Sequence, residues 1–351
     1  MTGTDATATT PSDERRPFSF AKLAKKCLHI FVMLGAAGVT TLAVLGQFGP
    51  AFVQALCSPL SLHVWVCLLI GALLLACLRA WKSLALVLLA VIAIGVLVVP
   101  VIVPRGAAVA PTTSPAIVLK VVGVNTLVGN TPDRAGGRAW LNGLDADVIG
   151  VSELSTPWQR AIESTTNADG APRWPYKLAL PEDRNASGMG IYSRHPLVSV
   201  TTMHSPKGVF PTIDATIDAP GGPVRVMVVH PPPPVNGNLV YARNTEIQWI
   251  AERCAEQDVP TAVVGDFNET PFGRPIRAFA KRTGYTSARQ LVGHAPTWST
   301  TLFGFQLPHA VGVTIDHCFV SRHFTPTKFR TGPNVGSDHL PIEVELVRTA
   351  K

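Results

Sequence analysis

The chain has 351 residues, 47% hydrophobic and only 15% charged, with a mean hydropathy of +0.26 and a formal charge of +7. So apolar a composition excludes one ordinary soluble domain, and the six cysteines are too scattered for a disulfide scaffold. Residues 1–103 carry 7 Lys+Arg and 3 Asp+Glu, leaving 23 and 20 beyond them, a balance that gives no concentrated basic surface for nucleic acid.

Residues 1–27 form a basic tail with Arg15, Arg16, Lys22, Lys25 and Lys26. Three apolar runs follow, at about 28–48, 60–78 and 83–103, none containing Asp, Glu, Lys or Arg. Each reaches the roughly 20 residues that a bilayer requires, and a signal peptide would be shorter and alone. The basic tail and the "RAWK" turn with Arg79 and Lys82 predict a cytoplasmic N-terminus, while the uncharged "GPAFVQALCSPL" connection suits the other side. Three crossings then predict a multi-pass protein of the cell membrane, with everything after residue 103 extracytoplasmic. Residues 104–116 read as a Pro/Ala/Thr linker.

Residues 117–351 are enough for one sizeable domain. Apolar strands are expected at "IVLKVVGVN", "DVIGVSEL", "GMGIYS", "TIDATID", "VRVMVVH", "TAVVGDFN", "TIDHCFVS" and "HLPIEVEL", with a helix over "LVYARNTEIQWIAERCAE". Strands in runs with interspersed helices predict mixed sheets packed in layers. In "TAVVGDFNETP" the period of two puts Asp266 and Asn268 on one face, a pattern that either opens a turn or holds a ligand. Nearly every other strand also reads as finishing on a polar group: Asn125, Glu153, His230, Asp316, and Asp338 with His339. Carboxylates, amides and histidines without thiols predict a hard cation such as Mg²⁺, Mn²⁺ or Ca²⁺ rather than Zn²⁺. His317 and Cys318 alternate to opposite faces, Asp214 and Asp218 read as solvated, and Arg194 faces either substrate or a carboxylate. Trp140, Trp158 and Trp249 suit helix–sheet packing. A Cys254–Cys318 bridge stays open.

"GVN", "SEL", "GMGIYSRHPL", "VVHPPPP", "GDFNETP", "TIDHCFVS" and "GSDHLPIEVEL" stand in an order that resembles the endonuclease/exonuclease/phosphatase (DNase I-like) superfamily over roughly residues 117–347. The three-helix anchor with its outer domain is further similar to the VanJ-type teicoplanin-resistance proteins of actinomycetes. The first resemblance implies a four-layer α/β sandwich behind three transmembrane helices, and a phosphoester hydrolase that uses Mg²⁺ or Mn²⁺. It implies Glu153 as principal metal ligand, with Asn125 and Asp338 beside it. Asp266 would activate water, Asn268 would bind the nucleophile or a phosphate oxygen, and Asp316 would orient His339. His339 and His230 would stabilise the phosphoryl oxygens.

The second resemblance implies a lipid phosphate substrate, undecaprenyl pyrophosphate at the outer leaflet, with a link to glycopeptide resistance. Its partners would be the bilayer and the polyprenyl carrier, not nucleic acid. A phosphodiesterase of the same fold (nuclease, sphingomyelinase or phospholipase C-like) is the alternative, and a non-catalytic binding protein a third. The apolar "TLFGFQLPHAVGV" loop reads either as facing lipid or as ordinary surface.

Overall fold

The computed structural model describes residues 19–106, 118–302 and 305–349. Arg15 and Arg16 of the basic tail, most of the expected linker, and Phe303 and Gly304 of the apolar loop lie outside the described residues. Four helices come first: α1 (Phe20–Phe48), α2 (Ala51–Cys57), α3 (Ser61–Cys77) and α4 (Trp81–Ile102), with a 3₁₀ turn at Ser58–Leu60. Helix α1, the α2–α3 unit and α4 are each long and apolar enough to cross a membrane. Helix α1 starts eight residues before the apolar run that marks it in the sequence. Ser19 caps it, and Lys22, Lys25 and Lys26 occupy its first turns, where a helix longer than the hydrocarbon core emerges from it. The expected uncharged connection is largely α2, which packs on the globular domain.

The domain runs β1 (Val118–Asn125), α5 (Gly137–Gly143), β2 (Val148–Ser152), α6 (Thr156–Glu163), β3 (Tyr176–Leu180), β4 (Met189–Ser193), β5 (Leu197–Met203), β6 (Thr212–Ala219) and β7 (Gly222–Val229). It continues with α7 (Gly237–Ala255), β8 (Thr261–Asp266), α8 (Arg274–Thr283), β9 (Thr286–Ser287), β10 (Thr301–Leu302), β11 (Phe305–Gln306), β12 (Asp316–Val320), β13 (Phe324–Thr331) and β14 (Ile342–Arg348). Two six-stranded mixed sheets result, ordered β13-β14-β1-β2-β4-β3 and β5-β6-β7-β8-β12-β9, beside the β10-β11 hairpin. Besides the two-residue β9, β10 and β11, the strands β3, β5 and β13 were not legible in the sequence. They are an edge strand, an exposed Thr/Ser-rich edge strand and one interrupted by Pro326, so none shows a clean apolar alternation.

Alternation sorts the core into layers. Val121, Val148, Ile191, Val226, Val228 and Val264 fill the space between the sheets. Their neighbours Val122, Val124, Ile149 and Val151 face outward onto Trp140 and Trp158 of α5 and α6. On the second sheet Met227, Val229 and Val263 meet Ile247, Ile250 and Phe279 of α7 and α8. The sheets approach closely at the centre, where a Cβ on Gly150 would lie 3.0 Å from Val228 and Val264. Cys254 belongs to the outer face of the second sheet and Cys318 to the inner, so both are free and no bridge joins them.

Each sheet has one parallel pair, β1 with β2 and β7 with β8. These four strands end at one edge of the sandwich. The antiparallel β12 and β14 begin there, so Asp316 opens β12, and Asp338 and His339 precede β14. These three were read from the sequence as closing strands; chain direction is what reverses them, and the edge is the same.

The anchor helices are docked onto this domain. Val101 and Gln47 of the bundle accept hydrogen bonds from Arg289 at 2.7 Å and Arg277 at 2.8 Å, and Gln290 accepts the Arg105 N–H at 2.7 Å. Phe272, in the β8–α8 loop, is buried in the core of the bundle with Leu68, Val91 and Val98.

Candidate active site

The site is built on the edge where the parallel pairs end. Glu153, just past β2, has a left-handed backbone (φ 54°), which non-glycine residues adopt only when their surroundings hold them. The β1–α5 loop does so. Thr126 Oγ1 donates to the Glu153 carbonyl at 2.7 Å, Val128 N–H to Oε2 at 2.9 Å, and Asn125 Nδ2 to Oε1 at 2.9 Å. The same Asn125 Nδ2 donates to Asp266 Oδ2 at 3.1 Å, which gathers two carboxylates around one amide. Asn125 Oδ1 accepts the Leu127 N–H at 3.0 Å, so here the amide nitrogen, not the oxygen, faces the acids.

Asp266 ends β8 after Gly265, whose φ of +146° and contact with the Val229 carbonyl leave no space for a side chain. Its motif does open a turn. Oδ1 opens the turn by accepting the Asn268 N–H at 2.7 Å, while Oδ2 faces the site. Asn268 is also left-handed (φ 50°), and its Nδ2 donates to the Pro231 carbonyl at 3.0 Å and to Asp266 Oδ2 at 3.3 Å. The turn is held from behind by a buried ion pair. Arg243 of α7 donates to the Asn268 carbonyl at 2.7 Å and pairs with Glu269 at 2.7 Å.

Two histidines flank Asp266 Oδ2, each with Nε2 at 3.6 Å. They are tuned in opposite directions. Burial alone would lower His339, but Asp316, 2.9 Å from Nδ1, and Asp266 override it and hold it up at about 10. Burial wins at His230, pulling it down to about 4 against the attraction of Glu153. Its ring stacks on Phe210 at 4.8 Å. Burial pushes Asp266 up to about 7, opposed by His339. The neighbouring carboxylates thus favour the cationic ring at His339 and burial the neutral ring at His230, the kind of separation that acid–base sites display.

Glu153, His230, Asp266, Asn268, Asp338 and His339 line one cavity of about 820 Å³. Asn125 and Asp316 stand behind that lining, bonded to the groups in front. Asp338 Oδ2 accepts from Trp298 Nε1 at 2.9 Å, whereas its Oδ1 is buried without a partner. The cavity's other wall is apolar and includes Leu56, Leu60 and His63 of the α2–α3 turn, with Val235, Leu307 and Val311 of the domain.

A divalent cation suits this donor set. Asp266, Asp316 and His339 form a compact buried cluster, with ligand atoms within 4.8 Å of one another. His339, however, already faces Asp316 at 2.9 Å and Asp266 at 3.6 Å, and these carboxylates favour its protonated form, which makes it a poor ligand. Glu153, Asp266 and the unpartnered Asp338 oxygen offer hard acceptors in need of positive charge.

Several residues lie elsewhere. His317 points away from the site, with Nε2 2.9 Å from the Glu269 carbonyl and its ring edge-on to Phe267. Arg194 pairs with Asp145 at 2.8 Å, so it meets a carboxylate. Asp214, expected to be solvated, is instead forked to the buried Arg225 at 2.9 and 2.6 Å, because β6 and β7 bring that guanidinium across from the next strand; Asp218 is exposed. Pattern reading missed Trp298, Arg243 and Glu269. Glu269 follows Asn268 directly and was within reach; Arg243 looks like any polar residue of a helix.

The profile of the Endonuclease/Exonuclease/phosphatase family matches residues 124–339, from the end of β1 to His339. The chain belongs to that family. Its members are typically metal-dependent hydrolases of phosphoester bonds. The domain is similar to an endonuclease/exonuclease/phosphatase from Beutenbergia cavernae, at 19% identity, TM-score 0.52, and 67% and 72% of the two chains. It is also similar to the AP endonuclease LMAP from Leishmania major, at 15% identity, TM-score 0.53, and 73% and 95% coverage. A D. rerio TDP2 complexed with single-strand DNA product matches at 16% identity, TM-score 0.53, and 65% and 98% coverage. At these identities the likeness is one of fold. None of the curated proteins compared matches the chain by sequence.

Proposed function

We propose that the protein is a divalent-metal-dependent phosphatase of a membrane lipid phosphate, with undecaprenyl pyrophosphate at the outer leaflet as substrate. Three crossings would hold it in the cell membrane, N-terminus cytoplasmic and catalytic domain outside. One observation carries this reading: the cavity that holds the acids and histidines is also lined by Leu56, Leu60 and His63 of the α2–α3 unit, the second of three candidate membrane spans. A water-soluble substrate has no use for that wall. Among the described lining residues there is no Lys or Arg, whereas a nucleic-acid groove tracks phosphates with such residues.

Glu153, with Asp266 and Asp338 on the same cavity, would hold Mg²⁺ or Mn²⁺, and Asn125 would position Glu153 and Asp266 through its amide nitrogen. The cation neutralises charge on the phosphate oxygens when bound. Asp266 Oδ2 orients the attacking water and accepts its proton, within reach of both histidines. His339, kept protonated by Asp316, donates from Nε2 to a non-bridging oxygen as charge builds at phosphorus. Neutral His230 donates to a second oxygen, and Asn268 fixes the nucleophile side. Tethering raises the effective concentration of a substrate confined to the same leaflet.

The test is the full-length protein in detergent, assayed on undecaprenyl pyrophosphate, single-stranded DNA and sphingomyelin with Mg²⁺ or Mn²⁺ and then with EDTA. Phosphate release from the lipid pyrophosphate, abolished by EDTA, is expected. Preference for DNA or sphingomyelin would replace this reading with a phosphodiesterase.

A further inference from the structure

The wall opposite the metal-binding groups has more structure than a boundary requires. Leu56 and Leu60, on α2 and the 3₁₀ turn, are 51% and 40% exposed, and Val311 across from them is 53% exposed. All three line the same cavity as Glu153 and His339. The two sides are fastened together, since His63 Nε2, at the start of α3, meets the Val311 carbonyl at 2.9 Å. Phe272 plugs the catalytic loop into the helix bundle, and Gln47 holds Arg277. The rail is therefore preformed rather than assembled by the substrate. Along α1, α3 and α4, Leu34, Leu73, Leu89 and Ile92 are exposed, an apolar surface of the kind that suits lipid tails.

We infer that Leu56 and Leu60 of the anchor, facing Val311, form the binding track for the lipid chain segment nearest the phosphates. The anchor is then part of the active site. This rests on the lipid-phosphate reading and extends it to the residues that select the chain. The physical need is plain. Drawing the phosphates up to Glu153 and Asp266 pulls the first carbons of the chain out of the bilayer, and each methylene exposed to water opposes that movement. An apolar track continuous with the membrane removes the opposition. A volume of about 820 Å³ accommodates a pyrophosphate together with several isoprene-sized units.

The experiment uses full-length protein in mixed micelles with two substrates that share a headgroup, farnesyl pyrophosphate and isopentenyl pyrophosphate. The readout is the ratio of their kcat/KM values. The wild type should favour the longer chain. Leu56→Asn combined with Leu60→Asn should lower the ratio roughly 10-fold, the scale of discrimination in an apolar pocket. Val311→Asn, outside the helices and independent of their folding, should lower it in the same direction. A wild type that favours the long chain while all variants keep its ratio overturns the track and leaves the lipid reading standing. A wild type that shows no preference removes the lipid reading, and the track with it.

Discussion

Charge is handled in opposite ways at the two ends of the sandwich. At the far end, acids meet strong cations: Asp145 with Lys120 and Arg194, Asp258 with Arg322, Asp214 with Arg225. At the catalytic end, Glu153, Asp266 and Asp338 face one cavity with only amides, histidines and an indole for company. Glu153 and Asn268 hold left-handed backbones there as well. The far end pairs its acids with cations, while the cavity end keeps Glu153, Asp266 and Asp338 together without a Lys or Arg among the described lining residues. Stability and activity pull apart at that edge.

The largest effect should come from undoing that arrangement. Asp266→Asn and His339→Ala should each cut turnover roughly 10²-fold or more, the scale of acid–base and charge-stabilising groups. In EDTA, Asp266→Asn should nevertheless unfold at a higher temperature than the wild type. Burial raises the Asp266 carboxyl to about 7, so the wild-type carboxylate costs stability that grows as pH rises from about 4 through 7. A variant that loses both activity and stability would erase the contrast between the two ends.

Asp214→Ala tests the other end. It strands Arg225, only 8% exposed, with the Arg253 carbonyl as its remaining partner, and should cost about 3 kcal/mol in chemical denaturation. Turnover per folded molecule should stay near wild type. A loss of activity matching that of Asp266→Asn would show that the two ends are not separable.

Glu246 sharpens the rule through an effect that appears only at high pH. Among the described residues no cation pairs with this α7 carboxyl; one oxygen meets Thr212 Oγ1 at 3.4 Å and the other is buried without a partner. Burial pushes it up to about 8 from 4.5. The folded state therefore holds a proton that the unfolded state has released, and stability falls as pH rises between those values. Glu246→Gln should flatten that slope, recovering a few kcal/mol at pH 8.5 and little at pH 5, as read from unfolding midpoints. Equal effects at both pH values would place the cause in packing.

How much of this was legible depends on how far apart the partners lie in the chain. The three apolar runs, the alternating strands and the "GDFN" and "SDHLP" signatures are local, and the sequence by itself determined the candidate spans, the layered α/β class and the family's characteristic residues. Period two also placed His317 and Cys318 on opposite faces. Only the tertiary structure decided what those residues meet. Asn125 binds Asp266 from 141 positions away, Trp298 holds Asp338 from 40, and His63 of the anchor reaches Val311 from 248. Asp214 looked solvated because its partner lies on the neighbouring strand, and Arg243 went unnoticed because a helix gives no sign of what packs behind it. A pattern reports which way a side chain faces within its own strand or helix. Which groups share a cavity, and hence which histidine stays charged and which wall is apolar, follows from the packing of sheets and helices against one another, and no single segment encodes that.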